Sequence, residues 1–93
     1  MVMRIDWDDS KNEKLKRERG LSFEDASLMF LSGHAVDRKN DDPEQFRAIG
    51  FIKGQIITLI YEHREDEGGD FLWLVTFWKA TRGEVKIYEK ARR

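Results

Sequence analysis

Ninety-three residues suit one domain, with about two thirds of the unfolded surface buried on folding, and shares of 40% apolar and 38% charged residues imply one core under long solvated faces. There is no cysteine, which excludes a disulfide framework and thiolate chemistry; with no run of eighteen apolar residues and no apolar leader in residues 1–6, neither a membrane span nor secretion is expected, and a cytoplasmic protein is. The net charge of −1 hides an asymmetry: residues 71–93 hold six basic and two acidic side chains, +4, which leaves −5 for residues 1–70.

In chain order, Val2, Met3, Ile5 and Trp7 suggest a short first strand over residues 2–7, with Trp7 as a core or edge anchor. Ser10 and Glu13 have capping-box spacing and predict a first helix running to about Arg19. Leu15 is almost its only apolar residue, and Gly20 stops it. Ser22 and Asp25 repeat the capping spacing, and Phe23, Ala26, Met29 and Phe30 follow at helical intervals, so a second helix is expected over Ser22 to Leu31 with its stripe in the core. Ser32-Gly33-His34 ends it. Residues 35–43, rich in Asp and Asn, read as an exposed connector. His34 and His63 are too few and too isolated to suggest a metal site.

Gln45 to Ile52 alternates as a strand, and Lys53-Gly54 is a two-residue hairpin signal. In the next strand, Gln55 to Arg64, Ile57, Leu59, Tyr61 and His63 share one face and Ile56, Thr58, Ile60, Glu62 and Arg64 the other. Residues 65–69 form a second turn. Phe71 to Trp78, apolar on both sides, reads as a strand in the middle of a sheet. Thr81 and Glu84 make a third capping pair, opening a C-terminal helix with Val85, Ile87, Tyr88 and Ala91 on one face; Gly83 in its first turn weakens it. The predicted fold is α+β: an antiparallel sheet made of a short N-terminal strand and a three-stranded meander, with two N-terminal helices and a C-terminal helix packed on one sheet face.

Several segments then line up with a known family. They are Trp7-Asp8 with Lys11-Asn12, the run Gly20-Leu21-Ser22-Phe23-Glu24-Asp25-Ala26 followed by Phe30, Arg47-Ala48-Ile49-Gly50, Leu59-Ile60-Tyr61-Glu62-His63-Arg64, and Val75-Thr76-Phe77-Trp78-Lys79-Ala80-Thr81 with Glu84 and Tyr88. Over nearly its whole length the chain resembles the BrnT ribonuclease toxins of bacterial type II toxin–antitoxin modules. Three positions depart from the family pattern: Glu18-Arg19 stands where the family carries Lys-His, Leu15 where it carries an asparagine, and Trp78 where it carries the first of two basic residues.

The resemblance implies one RelE-like domain over residues 1–93 that cleaves RNA without metal or other cofactor. Its implied partners are the RNA substrate and a cognate, BrnA-like antitoxin in a hetero-oligomer. Such cleavage needs an activated 2′-hydroxyl, a stabilised pentacoordinate phosphate and a protonated leaving oxygen. The resemblance points to Arg64, Lys79 and Arg47 as catalytic and to Arg19, Tyr61 and Arg82 as RNA-binding, with Glu62 or His63 as base. Each has a plain structural alternative: ion pairs for Arg47 and Arg64, solvated helix or strand-end cations for Arg19 and Lys79, core packing for Tyr61. The alternative function is a catalytically weak or inactive BrnT-like binding protein that acts in an autoregulatory complex with an antitoxin.

Overall fold

The computed structural model describes residues 3–92; Val2, expected in the first strand, and Arg93 of the basic C-terminal stretch lie outside them. The elements are β1 (Arg4–Trp7), α1 (Asp9–Arg19), α2 (Phe23–Ser27) continued by a single 3-10 turn (Leu28–Leu31), β2 (His34–Asp41), β3 (Glu44–Ile52), β4 (Gln55–Asp66), β5 (Gly69–Lys79) and α3 (Arg82–Ala91). The five strands form one sheet in the order β1-β5-β4-β3-β2.

Helix ends follow local chemistry. Ser22 and Thr81 each form the expected reciprocal capping box, with Asp25 and Glu84 respectively. The first helix instead starts at Asp8, whose carboxylate accepts the Lys11 backbone N–H at 2.9 Å, so Ser10 is already inside the helix. Gly20 closes α1 in the left-handed conformation, φ 76°, and donates to the Lys16 carbonyl. Lys53 and Gly54 both have positive φ, 47° and 83°, as a type I′ hairpin turn requires.

Three further expectations are corrected. The sheet is mixed, because β1 pairs parallel with β5 while all other neighbours are antiparallel. No tight turn joins β1 to β5; the chain between them runs through the helices and the rest of the sheet, a connection long enough for parallel pairing. The connector of residues 35–43 is largely strand β2, paired with β3. Its polar residues read as a loop, yet an edge strand has one side in water and tolerates them, and it carries an irregularity between Arg38 and Asn40. Finally, the helices do not share one face.

On one face α1, α2 and the 3-10 turn cover Phe23, Ala26, Met29, Leu59, Leu74 and Phe77. Asn12 ties the two helices together, its side-chain oxygen accepting the buried Phe23 N–H at 2.7 Å. On the other face α3 covers a smaller cluster of Ala35, Ile49 and Tyr88. The β5 ladder slips once: Ile60 faces Thr76 but Tyr61 faces Leu74, so Val75 is an extra residue. That bulge brings Leu72, Leu74 and Phe77 onto the same face despite their odd spacing, while Phe71, Trp73 and Trp78 lie on the other, so β5 is apolar on both sides.

Candidate functional site

The α3 face is built across four strands by register. Asp37 lies opposite Arg47, Arg47 opposite Ile60, and Ile60 opposite Thr76. One step toward α3 lie Thr58 and Trp78; one step away lie Glu62 and Trp73, with Arg64 and Phe71 beyond them.

Arg47 grips Asp37 with Nε and Nη2 and reaches Glu84 with Nη1 at 3.5 Å. The hydrogen-bonded Asp37 carboxylate raises the guanidinium's already high pKa, against the opposing effect of burial. Glu84 is buried. Its Oε1 accepts the Thr81 backbone N–H at 2.8 Å and the Trp78 indole N–H at 3.0 Å. Burial pushes this carboxyl up, but the hydrogen bonds from Thr81 and Trp78 outweigh it and hold it below the usual carboxylate range. The neighbouring Thr58 hydroxyl is buried and makes no hydrogen bond of good geometry, although it lies close enough to help hold the carboxylate ionised.

The second unit on this face centres on Glu62. Its Oε1 accepts both Nε and Nη2 of Arg64, at 3.0 and 2.8 Å, and its Oε2 accepts the Gln45 amide at 2.8 Å. The Gln45 hydrogen bond, aided by Arg64 and opposed by burial, keeps the Glu62 carboxyl below its ordinary range. The Arg64 guanidinium lies 4.7 Å from the centre of the Trp73 ring, within cation–π reach. A carboxylate, a planar cation and an indole thus meet on a stretch of sheet beyond α3.

The remaining sequence-predicted residues are elsewhere. Tyr61 is on the helix face, edge-on to Phe30 at 5.3 Å and stacked with Phe46 at 5.6 Å, and burial raises its phenol pKa. His63 joins the same aromatic cluster, 5.1 Å from Phe46. Neither shares a face with Arg47 and Arg64. Lys79 is exposed at the end of β5, opposite Ile57. Along β4, Ile57 and Arg64 are seven residues apart, about 23 Å at roughly 3.3 Å per residue, and Arg47, opposite Ile60, is about 13 Å from Arg64 on the same scale. Arg47 and Arg64 are thus spaced along one face and turned to different carboxylates, while Lys79 lies on the opposite face. Arg82 opens α3, exposed, and Arg19 ends α1 and lines a cleft beside β5.

Sequence reasoning did not single out Asp37 or Glu84 for this face. Asp37 sat in a segment read as a connector, and the Thr81/Glu84 spacing signalled a helix cap without revealing that the same carboxylate reaches Arg47. Among the described residues no three His, Asp or Glu side chains are grouped as a metal site needs, and no helix is long and apolar enough to cross a membrane. Residues 7–84 match the family model described as the ribonuclease toxin, BrnT, of type II toxin–antitoxin systems. No curated protein matches the chain.

Proposed function

We propose, from the premise that the chain belongs to the BrnT family of type II toxin–antitoxin ribonuclease toxins, that this protein cleaves RNA without a metal ion and is silenced by a cognate BrnA-like antitoxin. The match over residues 7–84 carries this reading. In it, residues 1–93 form one RelE-like cytoplasmic domain that associates with the antitoxin as a hetero-oligomer.

Cleavage in this reading is attack of the 2′-oxygen on the adjacent phosphorus. The P–O5′ bond breaks as the leaving oxygen takes a proton from solvent, leaving a 2′,3′-cyclic phosphate and a 5′-hydroxyl. Glu62, ionised at neutral pH, takes the 2′-hydroxyl proton, and Arg64 stabilises the charge that develops on the phosphate oxygens. Trp73 offers a ring for a base to stack on. Arg47 contacts a neighbouring phosphate and Arg82 extends the cationic path, while Lys79, in register with Ile57 on the opposite face, is a further cation at the end of β5. Arg19 is the remaining cation assigned to RNA, and Tyr61, packed against Phe30 and Phe46, supports the sheet beneath the site. What supports the Glu62–Arg64 assignment is that base and cation are hydrogen-bonded to each other and the stacking surface lies within cation–π reach of the cation.

A second reading, an antitoxin-binding relative with weak or absent catalysis, has its own support. Arg47 and Arg64 are both neutralised by carboxylates, and an indole stands at position 78. Tightly controlled expression in a bacterium separates the two readings. Growth arrest with RNA degradation that Arg64→Ala or Lys79→Ala relieves is expected for a toxin. Undisturbed growth and intact RNA in the presence of folded protein would leave the binding role. Co-purification with the product of the neighbouring gene tests the antitoxin partner.

A further inference from the structure

We propose that the cleft between α1 and the open edge of β5 binds the phosphodiester backbone of single-stranded RNA through Lys11, Lys14 and Arg19. The proposal rests on the ribonuclease reading and places the substrate where that reading alone does not. β1 pairs with β5 only from Phe71 to Leu74. Past Trp7 the chain turns into α1, and β5 continues from Val75 to Lys79 without a strand on that side. The step leaves a cleft of about 550 Å³ lined by Ser10, Lys11, Lys14, Glu18, Arg19 and Thr76, with Leu15 beneath, a volume within the usual range of ligand clefts, roughly 300–1,000 Å³.

The cations of this cleft differ from the paired ones elsewhere on the sheet. Arg4, Arg38, Arg47, Lys53 and Arg64 each hold a carboxylate. Among the described residues no ion pair involves Lys11, Lys14 or Arg19. A paired cation must give up its carboxylate to take a phosphate, whereas a solvated one releases only counterions, which favours binding. The open edge of β5 ends at Lys79, so an RNA strand leaving the cleft along it meets another cation. The Ser10 hydroxyl is a donor for phosphate oxygens. Glu18 is the one carboxylate in the wall, and it opposes the three cations.

The test is fluorescence anisotropy of an end-labelled 2′-O-methyl oligoribonucleotide, which lacks the attacking hydroxyl, with cleavage of an unmodified RNA measured in parallel. For the Lys11→Gln/Lys14→Gln protein, affinity at low salt is expected to fall about tenfold, and the slope of log K against log salt to shrink by about 1.4, at roughly 0.7 per lost phosphate contact. Lys11→Arg/Lys14→Arg is expected to keep both, and Glu18→Gln to bind several-fold more tightly. An unchanged thermal midpoint shows that each variant is folded. If wild type cleaves RNA but the double Gln protein binds with wild-type affinity and slope, the cleft assignment is wrong and the ribonuclease reading stands. If wild type neither binds nor cleaves RNA, both are wrong.

Discussion

Trp78 donates its indole N–H to the Glu84 carboxylate at 3.0 Å. Through this bond the last residues of β5 are fastened to the first turn of α3, because the same oxygen accepts the Thr81 N–H, and the other oxygen faces Arg47 on β3. Glu84 is thus a helix cap, an indole acceptor and the inner partner of a half-buried arginine. Removing it leaves those donors without an acceptor where water has poor access. Glu84→Ala is expected to lower unfolding free energy by about 2–3 kcal/mol, while Trp78→Phe, which deletes one hydrogen bond, lowers it by about 1 kcal/mol. Urea unfolding of the two proteins checks the ranking, and an equal effect would show that the carboxylate does no more than accept from the indole.

The pH dependence of stability has a defined sign. Asp25, Glu62, Asp66 and Glu84 all have carboxyls held below their ordinary range in the folded chain. A depressed folded pKa means that the unfolded chain binds protons first on acidification, so the contribution is complete above the unfolded carboxylate range of about 3.9–4.3 and is lost as pH falls through the folded values. Tyr61 works in the opposite direction at the alkaline end, since its raised pKa contributes below about 10 and is lost above it. Thermal midpoints are expected to be flat from about pH 5 to 9 and to fall on both sides. A midpoint that climbed between pH 5 and 3 would contradict the carboxylate arrangement.

Gly50 is a packing requirement. A Cβ placed there would lie 2.6 Å from the Met29 Cβ, where the 3-10 turn presses on β3. Gly50→Ala is expected to destabilise by about 1–3 kcal/mol, the range for overpacking a filled core. Gly33→Ala, where nothing lies within 4 Å, serves as the control in the same melting experiment and should stay close to wild type.

What the sequence made legible follows from how local each signal is. Ser22 with Asp25, Thr81 with Glu84, Lys53-Gly54 and the apolar run from Phe71 to Trp78 each carry their meaning within a few residues, and each element is present. The partner of an isolated strand is not written locally, so β1's parallel place beside β5 was missed, as was a polar edge strand at Asp37. The Val75 bulge also escaped, because an extra residue shows only against its partner strand. In the candidate site the strand alternation put Glu62 with Arg64. It could not give the distances along the sheet that keep Arg47, Arg64 and Lys79 apart, nor the 37-residue separation across which Glu84 meets Arg47.

Asp37 and Glu84 hold Arg47 from two sides, and the sides are unequal. The Glu84 side chain is 8% exposed and fixed by Thr81 and Trp78, whereas the Asp37 side chain is 40% exposed on an edge strand. Asp37 occupies the Nε and Nη2 edge of the guanidinium, the fork that would otherwise engage two phosphate oxygens. In the proposed ribonuclease reading, a phosphate arriving at Arg47 therefore competes with Asp37, not with Glu84. Asp37→Asn keeps a hydrogen-bond acceptor at that edge and removes its charge. It is expected to cost less than about 1 kcal/mol in stability, as for an exposed pair, and to raise kcat/KM for RNA cleavage by up to about fivefold, the factor that 1 kcal/mol supplies. Steady-state cleavage of an unmodified oligoribonucleotide, with Arg47→Gln as the comparison, measures this. A fall in kcat/KM for Asp37→Asn with an unchanged melting midpoint would mean that Asp37 orients Arg47 for the substrate and does not compete with it.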